Sequence, residues 1–250
     1  MSGAAALLLL LAGLLGGFVN VVAGGGTLLT VPALLALGLD PGAANATARL
    51  AIWTQSTAAT ATFWRSRDIP WAQTRRLLPA SLLGALAGAW LATRIDPDQL
   101  RLALAVIFLG LSAHTLRDLF KPSTQVAVAA DRPAGASDHA VFGLLGVYGG
   151  FVQAGVGLLF AWAGHRLSGL TPARANGMKS VMTLGFATGA LVVFALDGAV
   201  RWRDGLPLAV GGLLGGILGA RYGSQMSVRV FKVANALGAA LAGGHFAGWF

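Results

Sequence analysis

The chain has 250 residues, of which 56% are hydrophobic and only 11% are charged, and its mean hydropathy is +0.71. Soluble domains carry about 25% charged residues, so this composition excludes an ordinary soluble protein and predicts one that lies in membrane lipid. The net charge of +9 does not indicate a nucleic-acid partner, because the basic residues lie in short gaps between apolar runs, as in cytoplasmic loops. The absence of cysteine excludes disulfides, thiol nucleophiles and Cys-based metal sites.

The first apolar stretch, residues 4–37, is too long for one membrane-spanning helix. As a straight helix it would measure roughly 50 Å, against a hydrocarbon core of about 30 Å. Gly24, Gly25 and Gly26, followed by Thr27, mark the break. We predict a helix to about Ala23, an unwound glycine turn and a short second helix. Such non-helical backbone at membrane depth must be buried in protein or line a cavity.

Further apolar spans are predicted in two groups, which together define an all-α integral membrane fold. The spans cover residues 43–64, 77–93 and 100–116, and then 140–164, 173–196, 206–221 and 231–249. The polar segment 117–139 is predicted to link a first transmembrane repeat at 1–116 to a second at 140–250. The stretch at 140–164 is again interrupted by glycines.

An internal repeat supports this division. Gly16–Val19 and Gly149–Val152 both read Gly-Gly-Phe-Val, and at an offset of 131 several later positions match. The matches include Asp40-Pro41 with Thr171-Pro172, Asn45 with Asn176, and Trp71 with Trp202. The Gly-xxx-Gly pairs Gly84/Gly88 and Gly215/Gly219 also correspond, and they predict close helix packing within the fold or in a homodimer.

Loop charge predicts that the two repeats have opposite orientations. Three corresponding pairs of loops alternate in opposite phase between a neutral loop and a loop of net charge +3; in the first pair, Asp40 and Arg49 stand against Arg166, Arg174 and Lys179. Under the positive-inside rule this pattern is typical of an inverted-topology repeat. Inversion requires an odd number of crossings per half. Five crossings per half result if each glycine-broken stretch counts as two short elements, which gives ten in all. Alternatively, the broken stretches are re-entrant hairpins, which gives eight full spans.

The glycine breaks are the first candidate substrate site. Gly24, Gly25, Gly26 and Thr27 would expose backbone N–H groups, and the helix beginning near Thr27 would direct its positive dipole end to the same point. Gly155 and Gly157 form a weaker copy in the second half. The alternative is glycine-mediated helix packing.

Polar residues within the apolar spans extend this candidate site. Asn45 and Arg49 follow the first Asp-Pro turn, and Asn176 and Lys179 follow the matching Thr-Pro turn. Buried polar groups are costly in lipid, so these should face a protein or aqueous interior and bind or gate an anion. Snorkelling at a helix end or helix–helix hydrogen bonding is the alternative. Asn20, Gln55 and Gln153 are possible pathway residues.

No motif indicates an enzyme, a cofactor or a metal site. His-Glu-x-x-His, Gly-x-Ser-x-Gly and Walker sequences are all absent, and the four histidines are scattered without ligand spacing. Few acidic residues fall within the spans, so a carboxylate proton relay is not predicted.

The motifs in their order resemble those of the TauE/SafE sulfite exporters, also called TSUP transporters. The resemblance covers nearly the whole chain and is carried by Gly24-Gly25-Gly26-Thr27 with Pro32, Ala46-Thr47-Ala48-Arg49, Phe63-Trp64-Arg65, Gly149-Gly150-Phe151 with Gly155-Val156-Gly157, and Ala175-Asn176-Gly177-Met178-Lys179. It implies a multi-pass carrier of the cell inner membrane that exports sulfite or organosulfonates. Two features depart from the family pattern: Ala48 replaces an Asn, and the second repeat lacks the triple glycine.

These observations together predict a secondary transporter that binds a small anion between two repeats and works by alternating access. The alternatives are an uncoupled small-anion channel and a carrier of another sulfur compound or carboxylate. A membrane enzyme and a membrane-embedded assembly factor are less favoured. Replacing Arg49 by Ala is expected to reduce anion flux while leaving folding intact.

Overall fold

The computed structural model describes residues 2–119, 135–223 and 228–248, and these form ten α-helices without strands. Their bounds are α1 Gly3–Ala23, α2 Thr27–Ala36, α3 Pro41–Arg65, α4 Trp71–Arg94, α5 Pro97–Leu119, α6 Ala136–Phe151, α7 Val156–Ser168, α8 Pro172–Leu196, α9 Trp202–Tyr222 and α10 Val228–Ala247. The predicted linker at 117–139 is shorter in the structure, because α5 runs into it from one side and α6 begins within it on the other. Residues 120–134 lie outside the described residues.

The two longest helices, α3 and α8, begin with the same local device. Asp40 precedes Pro41 and its carboxylate accepts a hydrogen bond from the N–H of Ala43 at 3.0 Å. At the start of α8, Thr171 caps in the same way ahead of Pro172. A capping oxygen satisfies one of the first free N–H groups, and proline fits the first turn because it needs no donor there. The repeat at offset 131 therefore coincides with matching helix starts.

Each glycine-broken stretch folds as a helical hairpin. Helix α2 returns along α1, since Leu9 shares a core cluster with Leu34 and a Cβ on Gly16 would lie 2.7 Å from Thr30 Cγ2. Helix α7 likewise returns along α6, with the rings of Phe142 and Phe160 5.6 Å apart. The described residues therefore form two helix–turn–helix hairpins, and α1 is also long and apolar enough to cross a membrane by itself.

Glycines bring each hairpin against a helix of the other half. A Cβ on Gly84 or Gly88 in α4 would strike the backbone of α6, and one on Gly215 in α9 would strike the backbone of α1. Of the two predicted roles, packing within the fold or in a homodimer, the Gly-xxx-Gly pairs have the first. Helix α1 packs on α9 and α6 on α4, while α3 packs on α8 and α5 on α10.

The outer surface suits lipid. Four of the described helices, α1, α4, α5 and α8, are long and apolar enough to cross a membrane. Large apolar side chains such as Leu83, Leu144 and Leu196 are exposed. In α3, by contrast, the polar side chains of Asn45, Thr47, Arg49 and Gln55 are buried inside the protein. The chain is a multi-pass membrane protein whose polar helix face points inward.

Candidate functional site

The tips of the two hairpins meet at the centre of the molecule. A Cβ on Gly157 would lie 3.0 Å from the Cα of Gly24, so the two backbones touch where both lack a side chain. Gly24 ends α1 with φ 74°, and Gly155 precedes α7 with φ 70°, both in the left-handed region. Glycine adopts this conformation without a Cβ penalty. The two glycine segments that the sequence singled out therefore come together.

Arg49 of α3 caps the broken end of the second hairpin. Its side chain is 1% exposed. Nη1 donates to the carbonyl of Gly149 at 2.5 Å, and Nη2 donates to the carbonyls of Gly150 at 2.8 Å and Phe151 at 3.2 Å. Helix α6 ends at Phe151, so its last carbonyls have no partner within the helix and carry its negative dipole end. The guanidinium satisfies these carbonyls and places its charge where the dipole favours a cation.

Lys179 of α8 does the same for the first hairpin. Its ammonium donates to the carbonyls of Val21 at 2.6 Å and Asn20 at 3.4 Å, at the end of α1, and its side chain is 4% exposed. Each half therefore supplies one buried cation to the broken helix of the other half. Both side chains are buried inside the protein, so neither snorkels toward the lipid headgroups.

The two matching asparagines have different environments. The amide of Asn45 is buried and donates to the carbonyl of Phe151 at 2.9 Å, beside Arg49. Asn176 is only half-buried, and its amide forms no hydrogen bond with the described residues. Its neighbour Gly177 packs against Asp68 in the loop between α3 and α4. Asn45 thus joins the central cluster, whereas Asn176 lies near that loop.

Two of the possible pathway residues shape the hairpin tips. The amide oxygen of Asn20 accepts from the N–H of Gly26 at 3.2 Å and so holds the first glycine turn. Gln153 has φ 69°, which is unusual for a residue with a side chain. Its amide oxygen accepts from Arg49 Nη1 at 2.7 Å. Gln153 thus makes the left-handed turn after α6 that Gly24 makes after α1, and this hydrogen bond stabilises it.

Several buried side-chain donors and acceptors have no hydrogen-bond partner among the described residues. They include Nε of Arg49, the amide nitrogen of Gln153 and both amide atoms of Gln55. Unpaired buried polar groups are rare in native proteins and require an explanation. Within the described chain, Arg49 and Lys179 also form no ion pair with a carboxylate. The centre therefore has two buried positive charges and unused donors.

The second half replaces one polar position by an aromatic one. A Cβ on Gly17 of α1 would lie 3.2 Å from the amide oxygen of Gln55. At offset 131 from Gln55, Phe186 lies against Gly149 of α6, with ring atoms 3.3–3.4 Å from a Cβ there, and stacks on Phe160. The two hairpins are therefore lined differently, the first by an amide and the second by stacked rings.

Sequence reasoning missed the carbonyl partners of Arg49 and Lys179. The sequence does contain a signal for them. Each half has a basic residue in an apolar helix with no acid nearby, and the other half has a broken helix. The described residues contain no group of three or more His, Cys, Asp or Glu side chains that could hold a metal.

Comparison with known proteins finds a matching family and several relatives. The family model described as sulfite exporter TauE/SafE matches residues 9–246. A protein of Escherichia coli K12 named probable membrane transporter protein YfcA is 32% identical over 211 residues, covering 83% of this chain and 77% of the relative. Probable membrane transporter proteins of a Sinorhizobium species and of Haemophilus influenzae are 28% and 29% identical, covering 90% and 84% of this chain and 85% and 81% of their own lengths.

The family match includes the tips of both hairpins and both capping cations, and these relatives are named probable membrane transporter proteins. A multi-pass helical protein with two broken helices meeting in its interior is consistent with that match. The chain belongs to the TauE/SafE family of membrane transporters.

Proposed function

We propose that the protein is a secondary transporter of the cell inner membrane that exports a small anion, sulfite or an organosulfonate, through a site between its two halves. The observation that carries this proposal is the pair of buried cations, Arg49 and Lys179, without a carboxylate partner in the described chain. Burying uncompensated charge is costly, and a bound anion would compensate it.

The anion would lie where the hairpin tips meet. Helices α2 and α7 begin there, at Thr27 and Val156, and the first N–H groups of a helix have no partner within it. Among the described residues, no hydrogen bond uses the N–H of Thr27 or of Gly157. These groups, with Nε of Arg49 and the amide nitrogen of Gln153, would donate to the oxygens of a sulfite or sulfonate group.

Alternating access would use the relation between the halves. The packing of α1 on α9 corresponds to the packing of α6 on α4 in the other half. In the same way, the cap that Arg49 forms on α6 corresponds to the cap that Lys179 forms on α1. This reciprocity and the opposite charge phase of the loops support an inverted repeat, in which one half rocks against the other around a fixed site. Each cap would move with the opposite hairpin.

Flux measurements test the proposal. Purified protein in proteoliposomes should catalyse saturable sulfite efflux, and sulfite on the opposite side should accelerate it, since a carrier returns faster when loaded. Taurine tests organosulfonates, and sulfate and nitrate serve as controls. Flux that neither saturates nor responds to countersubstrate would indicate a channel instead. No flux of any sulfur oxyanion or sulfonate would refute the substrate class.

Gln55→Leu offers a test of a pathway residue. Gln55 is fully buried and both of its amide atoms lack partners, so Leu should raise the free energy of unfolding by about 1–2 kcal/mol. We expect sulfite flux to fall nevertheless, because the amide would contact the substrate. Thermal unfolding and efflux measured on the same preparation check both effects.

Ser81→Ala is the matched control for Gln55→Leu. Ser81 of α4 is also fully buried with an unpaired hydroxyl, but it lies in the packing surface toward Gly146 of α6. Ser81→Ala should raise the free energy of unfolding without changing sulfite flux. If Gln55→Leu also leaves flux unchanged, then Gln55 does not line the pathway.

A further inference from the structure

A large cavity opens at one end of the protein, away from the hairpin tips. Its volume is about 520 Å³, and it lies between the starts of α3, α5 and α9 and the ends of α4 and α8. Its lining includes Asp40, Ala43, Thr93, Phe194, Ala199 and Arg201. This volume exceeds that of a sulfite or small sulfonate, and cavities of about 300–1,000 Å³ are typical of ligand sites.

Phe194 joins this cavity to the central site. It lines the cavity, is buried, and its ring centroid lies 5.3 Å from the guanidinium carbon of Arg49, close enough for a cation–π contact. A second link runs through the backbone, because the N–H of Arg201 in the cavity wall donates to the hydroxyl of Thr47 at 3.0 Å. Thr47 is buried and precedes Arg49 by two residues.

We propose that this cavity is the outer vestibule of the transport pathway and that Phe194 is the gate between it and the anion site at Arg49. The inference rests on the proposed function. The apolar ring blocks a hydrated anion while its face stabilises the guanidinium behind it. Movement of the end of α8 would withdraw the ring and open Arg49 to the cavity, so an anion leaving the site would pass Phe194.

The distribution of basic residues assigns the cavity to the outside. The helix ends and loops at the cavity contain Arg94, Arg101, Arg201 and Arg203. The opposite ends of the same helices contain more basic residues: Arg65, Arg67, Arg75, Arg76, Arg117, Arg174 and Arg221. The positive-inside rule places the richer face in the cytoplasm, so the vestibule faces out.

Because the natural chain has no cysteine, single cysteines can report the gate. Ala43→Cys places a thiol in the cavity wall. Ala190→Cys places one a helical turn deeper than Phe194 on α8, where Ala190 is fully buried in the same core cluster. A charged, membrane-impermeant methanethiosulfonate reagent applied to the detergent-purified protein should label the first thiol and leave the second unlabelled.

Opening the gate should change only the deeper thiol. Adding Phe194→Ala should raise the labelling rate of Ala190→Cys by at least about tenfold, equivalent to about 1.4 kcal/mol in the free energy of exposing it. Phe194→Leu, which keeps more bulk, should raise it less. Phe160→Ala removes an equally buried ring outside the cavity lining and should leave the rate unchanged.

Three results would overturn the inference. They are an unlabelled Ala43→Cys, an Ala190→Cys that reacts equally with and without Phe194, and one that stays unreactive in both Phe194 variants. Ala187→Cys, buried on the same helix but in another core cluster, should stay unreactive throughout. If Phe194→Ala unfolds the protein and exposes Ala187→Cys, the test uses Phe194→Leu instead. The labelling rate of Ala190→Cys with Phe194→Leu is then compared with its rate in the presence of Phe194.

Sidedness and function are tested separately. In intact cells the same reagent should label Ala43→Cys from outside, and labelling only after lysis would refute the outward orientation. Neither labelling experiment requires transport. A vestibule with the expected labelling but no anion flux would refute the proposed function alone, whereas normal flux with no Phe194 effect would refute the gate alone.

Discussion

Arg49→Ala is expected to abolish anion flux and to lower the free energy of unfolding by about 3 kcal/mol or more. The substitution removes hydrogen bonds to the carbonyls of Gly149, Gly150 and Phe151 and to the side chain of Gln153. Those groups would remain buried without a donor, which is costly in a membrane interior. Efflux from proteoliposomes and thermal unfolding in detergent measure the two effects.

Two variants separate the loss of charge from the loss of the cap. Arg49→Lys keeps the positive charge but cannot reach all four acceptors, so we expect a smaller loss of stability and a strong loss of flux. Arg76→Ala removes a charge from an exposed position and should change neither quantity. Wild-type flux and stability in Arg49→Ala would contradict both the cap and the site.

This expectation differs from the one that the sequence alone supports, in which Arg49→Ala reduces flux while folding stays intact. The capping geometry makes a loss of stability a direct consequence of the substitution, because one side chain connects α3 to the end of α6. Flux must therefore be expressed per folded protein.

Gly24→Ala should have the second largest effect. Gly24 has φ 74°, and an added Cβ would collide with the backbone of Gly157 and Leu158 at the tip of the second hairpin. The left-handed conformation costs a non-glycine residue about 1–2 kcal/mol, and overpacking adds about 1–3 kcal/mol. We expect loss of flux and a fall in the unfolding temperature, because the two tips can no longer meet.

Gly38→Ala is a matched control for Gly24→Ala. Gly38 has φ 83°, but nothing lies within 4 Å of the position of its Cβ. It therefore carries the backbone cost without the collision, and its flux should stay close to wild type. The difference between the two variants measures the contact between the tips. Equal effects would show that the close approach of Gly24 to Gly157 has no role in transport.

Composition and local sequence patterns are enough to predict that the protein lies in lipid and where its first helix ends. Scarce charge and long apolar runs predict a multi-pass membrane protein, and the family match and apolar helices confirm this. Three consecutive glycines predict the break between α1 and α2, which falls where expected. These signals are local: helix length is limited by the bilayer, and glycine is unfavourable within a helix.

The partners of the buried polar residues depend on long-range packing that no local sequence pattern predicts. Arg49 and Gly149 are 100 residues apart, and Lys179 and Val21 are 158 apart. No periodicity in either helix indicates which cation reaches which carbonyl. The matched asparagines show the same limit, since Asn45 joins the cluster and Asn176 does not. Helix formation satisfies its hydrogen bonds within one segment, whereas the ends of broken helices take partners from wherever packing brings them.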